Sequence, residues 1–489
     1  MSLSHTVLSA FKWSILGELV SKTIGPLVLV VLARILVPED FGVVAAATVV
    51  VSFSQVFWDG GLAKTLVQRK DRVHESATVI FWINIVFGFA LFVTLFITAD
   101  LIALFFDDGR VASVVRILGL QLPLAATCSV HIALQQREFA FERLFWVRLA
   151  TTAAPALASI PLAINGYGYW ALVAGTLLGQ AAQTTVLWAL TSWSPKVWFD
   201  RDLAVELFRF GRWVMLSALL GWAFLWVDAL VVGGFLGTHD LGLYKTGDAF
   251  VTVVFGLIAA PLVPVVYSLF SRLSHDPRKL RDTVLLMDRA MMFLVLPAAA
   301  GLILLKDVIP ELIFTPKWAG IGTIIVVIGI AQALSYTVTV KQQVYRAIGR
   351  PEIETKVMMF SLLVRLVFYG FSVHYGLLVF VWARLASTVL GVANHLFFAG
   401  RVIEVGYRAY LTDFLRVLPP VVLMYLIGRT CQNLLGDDLN LILRTLTVIV
   451  VCGLSYGLFV VAIENRLVKG IYRSLKQKNS RVIKDEPEP

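Results

Sequence analysis

The sequence predicts an all-α polytopic membrane protein of about fourteen transmembrane helices, arranged as two six-helix lobes plus two C-terminal helices. Three observations predict it. Of 489 residues, 58% are hydrophobic and only 15% charged, where a soluble domain carries about 25% charge. Apolar stretches long enough to cross a bilayer, about 20 residues each, recur to the end of the chain. Finally, the segment Trp13–Gly42 returns 200 positions later as Trp213–Gly242, with Leu36/Leu236, Asp40/Asp240 and Gly42/Gly242 at matching offsets.

In chain order, the first lobe (1–190) holds expected spans at 11–36, 41–64, 77–104, 111–135, 147–165 and 168–190. The first span lacks a small-residue cleavage site and is too long for a signal-peptide core, so it is read as an uncleaved helix. Residues 191–211 form the connector. Within it Leu203, Leu207 and Phe210 fall at i, i+4 and i+7, opposite Asp202, Glu206 and Arg209. That pattern predicts an amphipathic helix at the cytoplasmic membrane surface. The second lobe (212–398) repeats the plan at 212–236, 242–268, 284–305, 319–341, 357–374 and 377–398. A connector and two extra helices follow (399–463, spans 417–434 and 441–463), then a basic and finally acidic cytoplasmic tail, 464–489.

Alternate connections, the N-terminus and the tail hold 31 of the 42 Lys and Arg residues. By the positive-inside bias, both termini are cytoplasmic and the number of spans is even. The opposite loops are short, the longest being about Lys306–Trp318. Cys128, Cys431 and Cys452 sit in apolar runs without metal-ligand spacing and read as small core residues. The sequence shows no P-loop, no zinc motif and no nucleophile elbow. With no sizeable aqueous domain either, the reading excludes an enzyme and calls for no cofactor.

Charge inside the spans is what remains to carry function. A charged group at mid-membrane costs roughly 2.5–3.5 kcal/mol on insertion scales, so each asks for a reason. Glu18 and Lys22 lie one turn apart in the first span, spaced for an i,i+4 pair. Asp228 lies near the centre of span seven and Asp248 in span eight; Asp228 is either a proton-titrating site or half of a buried ion pair. Arg365 and Arg384 sit near the centres of spans eleven and twelve. Arginine does not shed its proton, so each needs a carboxylate, water or an anionic ligand. With Arg34 and Arg116 toward the outer ends of their spans, cations outnumber carboxylates, which suits an anionic, polyhydroxylated cargo. The candidate assignments are Lys22, Arg365 and Arg384 as substrate-binding cations, with Glu18, Asp228 and Asp248 as coupling or structural acids.

Several short motifs in fixed order then give a resemblance. Lys12-Trp13-Ser14, Leu32-Ala33-Arg34-Ile35-Leu36 before Phe41-Gly42, and Gly61-Leu62 with Gln68-Arg69-Lys70 resemble the start of a bacterial polysaccharide exporter. Phe210-Gly211-Arg212-Trp213, Asp228 through Gly237 and Leu241-Gly242-Leu243-Tyr244 resemble its seventh helix and turn. Thr315-Pro316-Lys317-Trp318 and Ala347-Ile348-Gly349-Arg350-Pro351 resemble the loops around its tenth helix. The family is the lipid-linked oligosaccharide flippases (Wzx-like, colanic-acid-exporter-like) of the multidrug/oligosaccharidyl-lipid/polysaccharide superfamily. The resemblance implies two lobes rocking about a central cavity in the bacterial inner membrane. The implied cargo is an undecaprenyl-diphosphate-linked repeat unit for capsule, exopolysaccharide or O-antigen. It leaves an H+ or Na+ gradient as the candidate driving force. Membrane lipids, a polymerase and chain-length machinery are the candidate partners; nucleic acid is not. The competing reading is a multidrug antiporter of the same superfamily, disfavoured because cation export wants an acidic cavity. A major facilitator would show its own loop motif where this chain reads Gly60-Gly61-Leu62-Ala63-Lys64.

Overall fold

The computed structural model describes residues 3–59, 66, 71–259, 262–436 and 440–463. The expected tail 464–489, the loop-motif residues 61–65 and 67–70 and the side chains of Lys12 and Phe210–Trp213 lie outside the described residues. Every regular element among the described residues is helical. Among the described residues, twelve stretches are long and apolar enough to span a membrane. Two places account for the difference from about fourteen. The stretch Val214–Ala259 is 46 residues long and belongs to a helix, Arg201–Ala259, that breaks at Gly237 (φ 84°, ψ 179°). That conformation is open to glycine alone at little cost, so the stretch is two helices end to end. The helix Tyr169–Leu190 is long enough and uncharged, but Gln180 and Gln183 lower its mean hydropathy.

The helices group into two compact units. The first draws on Met1–Leu257, Ile313–Ala331 and Glu352–Gly391; the second on Ile258–Leu312, Gln332–Pro351 and Val392–Pro489.

In the first unit, a core forms where Ala77, Ile80 and Phe81 of the Val73–Phe105 helix meet Val130 and Leu134 and receive Leu203 and Leu207. Leu203 and Leu207 of the expected amphipathic stripe are therefore turned onto protein. Asp200 starts that helix by accepting from the backbone N–H of Asp202 and Leu203, each at 3.0 Å, and from Arg72 Nη2 at 3.0 Å. These backbone and arginine donors hold its carboxyl below the usual range.

The internal repeat has a direct structural consequence. Glu39 Oε1 and His239 Nδ1, 200 positions apart, are hydrogen-bonded at 2.7 Å. A Cβ on Gly42 would stand 1.7 Å from the carbonyl oxygen of Thr238, and one on Gly242 would stand 1.8 Å from that of Pro38. Each copy of the turn thus packs on the other reciprocally, backbone against backbone, at matching offsets. Asp108 joins them, accepting from Thr238 Oγ1 at 2.8 Å and from Arg110 Nη2 at 2.8 Å. Burial alone would raise the Asp108 carboxyl, but these hydrogen bonds and one from the Arg110 backbone hold it below the usual range. Its contribution to this junction is therefore present above the ordinary carboxylate range and is lost as the pH falls through the lowered value. Trp318 closes the junction with its Nε1–H on the carbonyl of Ala33 at 2.8 Å and its ring edge-on to Phe41. Gly42→Ala is expected to lower stability by about 1–3 kcal/mol through overpacking. Gly221→Ala, whose Cβ meets nothing within 4 Å, is the control in thermal unfolding of the purified protein.

In the second unit, the two C-terminal helices Tyr407–Leu435 and Leu441–Ile463 pack on Pro277–Leu304. Met292 and Phe293 meet Val417, Val421 and Met424, with Val448 and Cys452 behind them. Polar ties fix the register: Tyr456 Oη–H donates to the Phe293 carbonyl at 2.6 Å, and Gln432 Nε2 donates to that of Leu304 at 3.2 Å. Cys128 and Cys452 are buried, Cys431 is half-buried, and all three are free.

Candidate functional site

Three of the six sequence-selected residues meet at one place in the first unit. The break at Gly237 folds the Arg201–Ala259 helix into two arms, so Asp228 on one faces Tyr244 and Asp248 on the other. The Leu377–Val402 helix brings Arg384 to all three. Tyr244 Oη–H donates to Asp228 Oδ2 at 2.6 Å. Arg384 Nη1 reaches the Tyr244 hydroxyl and Asp228 Oδ2 at 3.5 Å, and its Nη2 reaches Asp248 Oδ1 at 2.8 Å. Lys245 adds its ammonium to Asp248 Oδ2 at 3.4 Å and lies 4.6 Å from the centre of the Trp226 ring. Asp228, Tyr244 and Arg384 are all buried. Two cations and two carboxylates balance there, so Asp228 is half of a buried ion pair. Each buried charge there already faces an opposite one.

The other three lie elsewhere. Arg365 has no carboxylate partner among the described residues: its Nη1 donates to the Phe224 carbonyl at 3.2 Å, and its guanidinium stacks 3.9 Å from the Phe224 ring centre. Glu18 is shared. Arg148 Nη1 donates to its Oε1 at 2.7 Å, while Lys22 Nζ stays 3.8 Å from its Oε2 and donates to the Gly256 carbonyl at 3.3 Å. One carboxylate thus serves two cations. Positive charge in excess of carboxylate thus lies at Arg365 and at Lys22 with Arg148, a residue whose sequence position reads as a cytoplasmic connection, whereas at Arg384 charge is cancelled.

A second cluster, in the second unit, escaped the sequence reading. Lys341 is fully buried and forms an ion pair with Asp288. Its ammonium lies 5.6 Å from the Tyr410 ring centre, whose hydroxyl is hydrogen-bonded to Thr337 at 2.9 Å. Beside it Arg289 Nε donates to Asp413 Oδ1 at 2.7 Å, tying a C-terminal helix to the helix that carries Asp288. His395 is buried, with Tyr345 donating to its backbone carbonyl at 3.2 Å. Lys341 and Arg289 resemble loop charges in sequence because each sits near a span end beside polar residues. Only helix length places Lys341 inside Ile321–Ala347. Among the described residues no group of His, Cys, Asp and Glu is placed to hold a metal.

Comparison with known proteins fits this architecture. The chain is 22% identical over 441 residues to the lipopolysaccharide biosynthesis protein WzxC of Escherichia coli, covering 88% of this chain and 89% of that one. It is 25% identical to the succinoglycan biosynthesis transport protein ExoT of Rhizobium meliloti, over 65% of this chain and 64% of ExoT. In fold it is similar to the lipid II flippase MurJ in an inward closed conformation, with a TM-score of 0.78 over 94% of this chain at 16% identity. Residues 31–323 match the family described as polysaccharide biosynthesis protein. The chain belongs to that family of multi-pass, all-helical membrane proteins.

Proposed function

We propose that the protein is a flippase that carries an undecaprenyl-diphosphate-linked oligosaccharide repeat unit from the cytoplasmic to the outer leaflet of the bacterial inner membrane, for exopolysaccharide, capsule or O-antigen synthesis. The observation that carries the reading is charge within the membrane-spanning helices: Arg365 without a carboxylate, and Lys22 with Arg148 around a single Glu18. Uncompensated cations at that depth are expensive, and a diphosphate or acidic sugar offsets the cost. The family and the transporter fold support the same reading; it is one of transport, not of bond-making catalysis.

In this mechanism two six-helix lobes, 1–190 and 212–398, rock about the cargo while the lipid tail stays in the bilayer. Lys22 and Arg365 hold the anionic headgroup. Arg384, with Asp228 and Asp248, sets the register of three helices, and an H+ or Na+ gradient acting on such acids supplies the driving force. Both termini face the cytoplasm, and the polymerase with its chain-length machinery receives the product.

Deleting the gene tests this in the cell. Lipid-linked repeat units will accumulate in the cytoplasmic leaflet and surface polymer will disappear. Complementation by Lys22→Ala or Arg365→Ala will restore polymer at least tenfold less well than wild type, with the protein still present in the membrane. Normal surface polymer together with raised drug sensitivity in the deletion strain would contradict the proposal and favour a multidrug antiporter.

A further inference from the structure

The helix that begins at Arg201 has two apolar stripes. Leu203 and Leu207 are buried in protein, but a second set, Val205 and Phe208 with Phe199 just before the helix, is exposed. Facing it on the Val73–Phe105 helix are Trp82, Ile83, Val86 and Phe87, which follow one helical face. Together they enclose a slot of about 450 Å³ whose walls are almost wholly apolar. Arg201 alone brings charge to its lining.

The slot's depth can be read from its polar margin. Arg72 and Asp200 form an ion pair at 3.0 Å, and Trp82 Nε1–H donates to the Lys196 carbonyl at 2.8 Å, which mark the level of the headgroups. From Trp82 to Phe87 the slot's wall then runs about 8 Å along the helix at 1.5 Å per residue, about half of one leaflet of a roughly 30 Å hydrocarbon core. Arg201, exposed at the margin, has no hydrogen bond or ion pair among the described residues. Its neighbour Asp200 is taken up by Arg72 and by two backbone N–H groups, so the guanidinium keeps its charge for a ligand.

We propose that this slot is a binding site for one anionic glycerophospholipid of the adjoining leaflet, with an acyl chain along Trp82, Val86, Phe87 and Phe208 and the phosphate on Arg201. An apolar slot just below the headgroup level, ending in an unpaired guanidinium, matches the upper part of an acyl chain and the phosphate of that molecule. Its volume of about 450 Å³ suits a single acyl chain. A bound lipid fills the space between the Val73–Phe105 helix and the segment that opens the second half of the chain, and so bears on their packing.

Purified full-length protein, stripped of lipid in detergent, is titrated with dipalmitoyl phosphatidylglycerol and followed by native mass spectrometry. Phosphatidylcholine and a polyprenyl monophosphate are the comparison ligands. Wild type will hold one phosphatidylglycerol in preference to both. Arg201→Gln will cut that preference over phosphatidylcholine by about fivefold to tenfold. Val205→Trp, which fills the slot from an exposed position, will remove binding of both phospholipids. Unchanged thermal unfolding of the lipid-stripped variants establishes that each is folded. Equal phosphatidylglycerol binding by wild type and both variants overturns the proposal. So does displacement by equimolar polyprenyl monophosphate, which would assign the slot to the cargo. Transport is not read out, so failure here leaves the flippase assignment standing.

Discussion

Arg384→Met will strip the first unit of its central cation and destabilise the protein by about 3–5 kcal/mol, the cost of leaving a buried charge without its partner. Asp248 keeps Lys245 at 3.4 Å, but Asp228, 5% exposed, retains only the Tyr244 hydroxyl and a backbone N–H as hydrogen-bond partners. A loss of that size is a large share of the roughly 5–15 kcal/mol that holds a typical domain together. Folded yield after membrane extraction, and the midpoint of thermal unfolding, will both fall. The double variant Arg384→Met with Asp228→Asn removes charge in a balanced way and leaves the Asp248–Lys245 pair intact. It will recover most of the stability. Transport by the recovered protein then separates the two roles: a pure register lock will flip cargo, whereas a coupling site will be folded and inactive. A single variant as stable as wild type would contradict the ion-pair account.

Asp288→Ala will have a comparable effect in the second unit, again about 3–5 kcal/mol, because Lys341 is wholly buried and is left with the Tyr410 ring as its main electrostatic partner. Replacing both, Asp288→Asn with Lys341→Met, is expected to restore stability to near wild type. A non-zero coupling energy in this double-mutant cycle, measured by thermal unfolding, checks the interaction itself. Arg289→Ala in the same background tests the neighbouring Asp413 tie, and limited proteolysis will show the C-terminal helices released first.

Fold class was legible because span length is written directly in apolar run length, although the expected span 111–135 is three shorter helices, Arg110–Leu118, Gln121–Ala126 and Ser129–Arg137, and the helix Tyr407–Leu435 begins well before the expected 417. Gly237 was also legible as a turn, and its φ of 84° is what separates the two spans of the Arg201–Ala259 segment. The spacing of the repeat was visible, but the reciprocal contact of Gly42 with Thr238 and of Gly242 with Pro38 required coordinates. Site residues were legible by type and depth and illegible by partner. Asp228 and Arg384 stood out as mid-span charges, yet their pairing crosses 156 positions, and nothing local encodes it. Local spacing matched Glu18 with Lys22; the fold gives its shorter hydrogen bond to Arg148, 130 positions away. Lys341, Asp288, Arg289 and Asp413 were missed for a related reason. Charge near a span end reads as loop, and helices such as Ile321–Ala347 run past the apolar stretch that reveals them.

Movement of a lipid-linked anionic oligosaccharide between leaflets is the activity on which these roles depend. Reconstitution into sealed vesicles carrying a fluorescent undecaprenyl-diphosphate oligosaccharide tests it, with an impermeant quencher reading the outer leaflet over time. Wild-type protein will move the labelled lipid across the bilayer, and Arg365→Ala will slow that movement at least tenfold at equal reconstituted protein. Labelled lipid that crosses no faster than in protein-free vesicles, with and without an imposed H+ or Na+ gradient, would contradict the account.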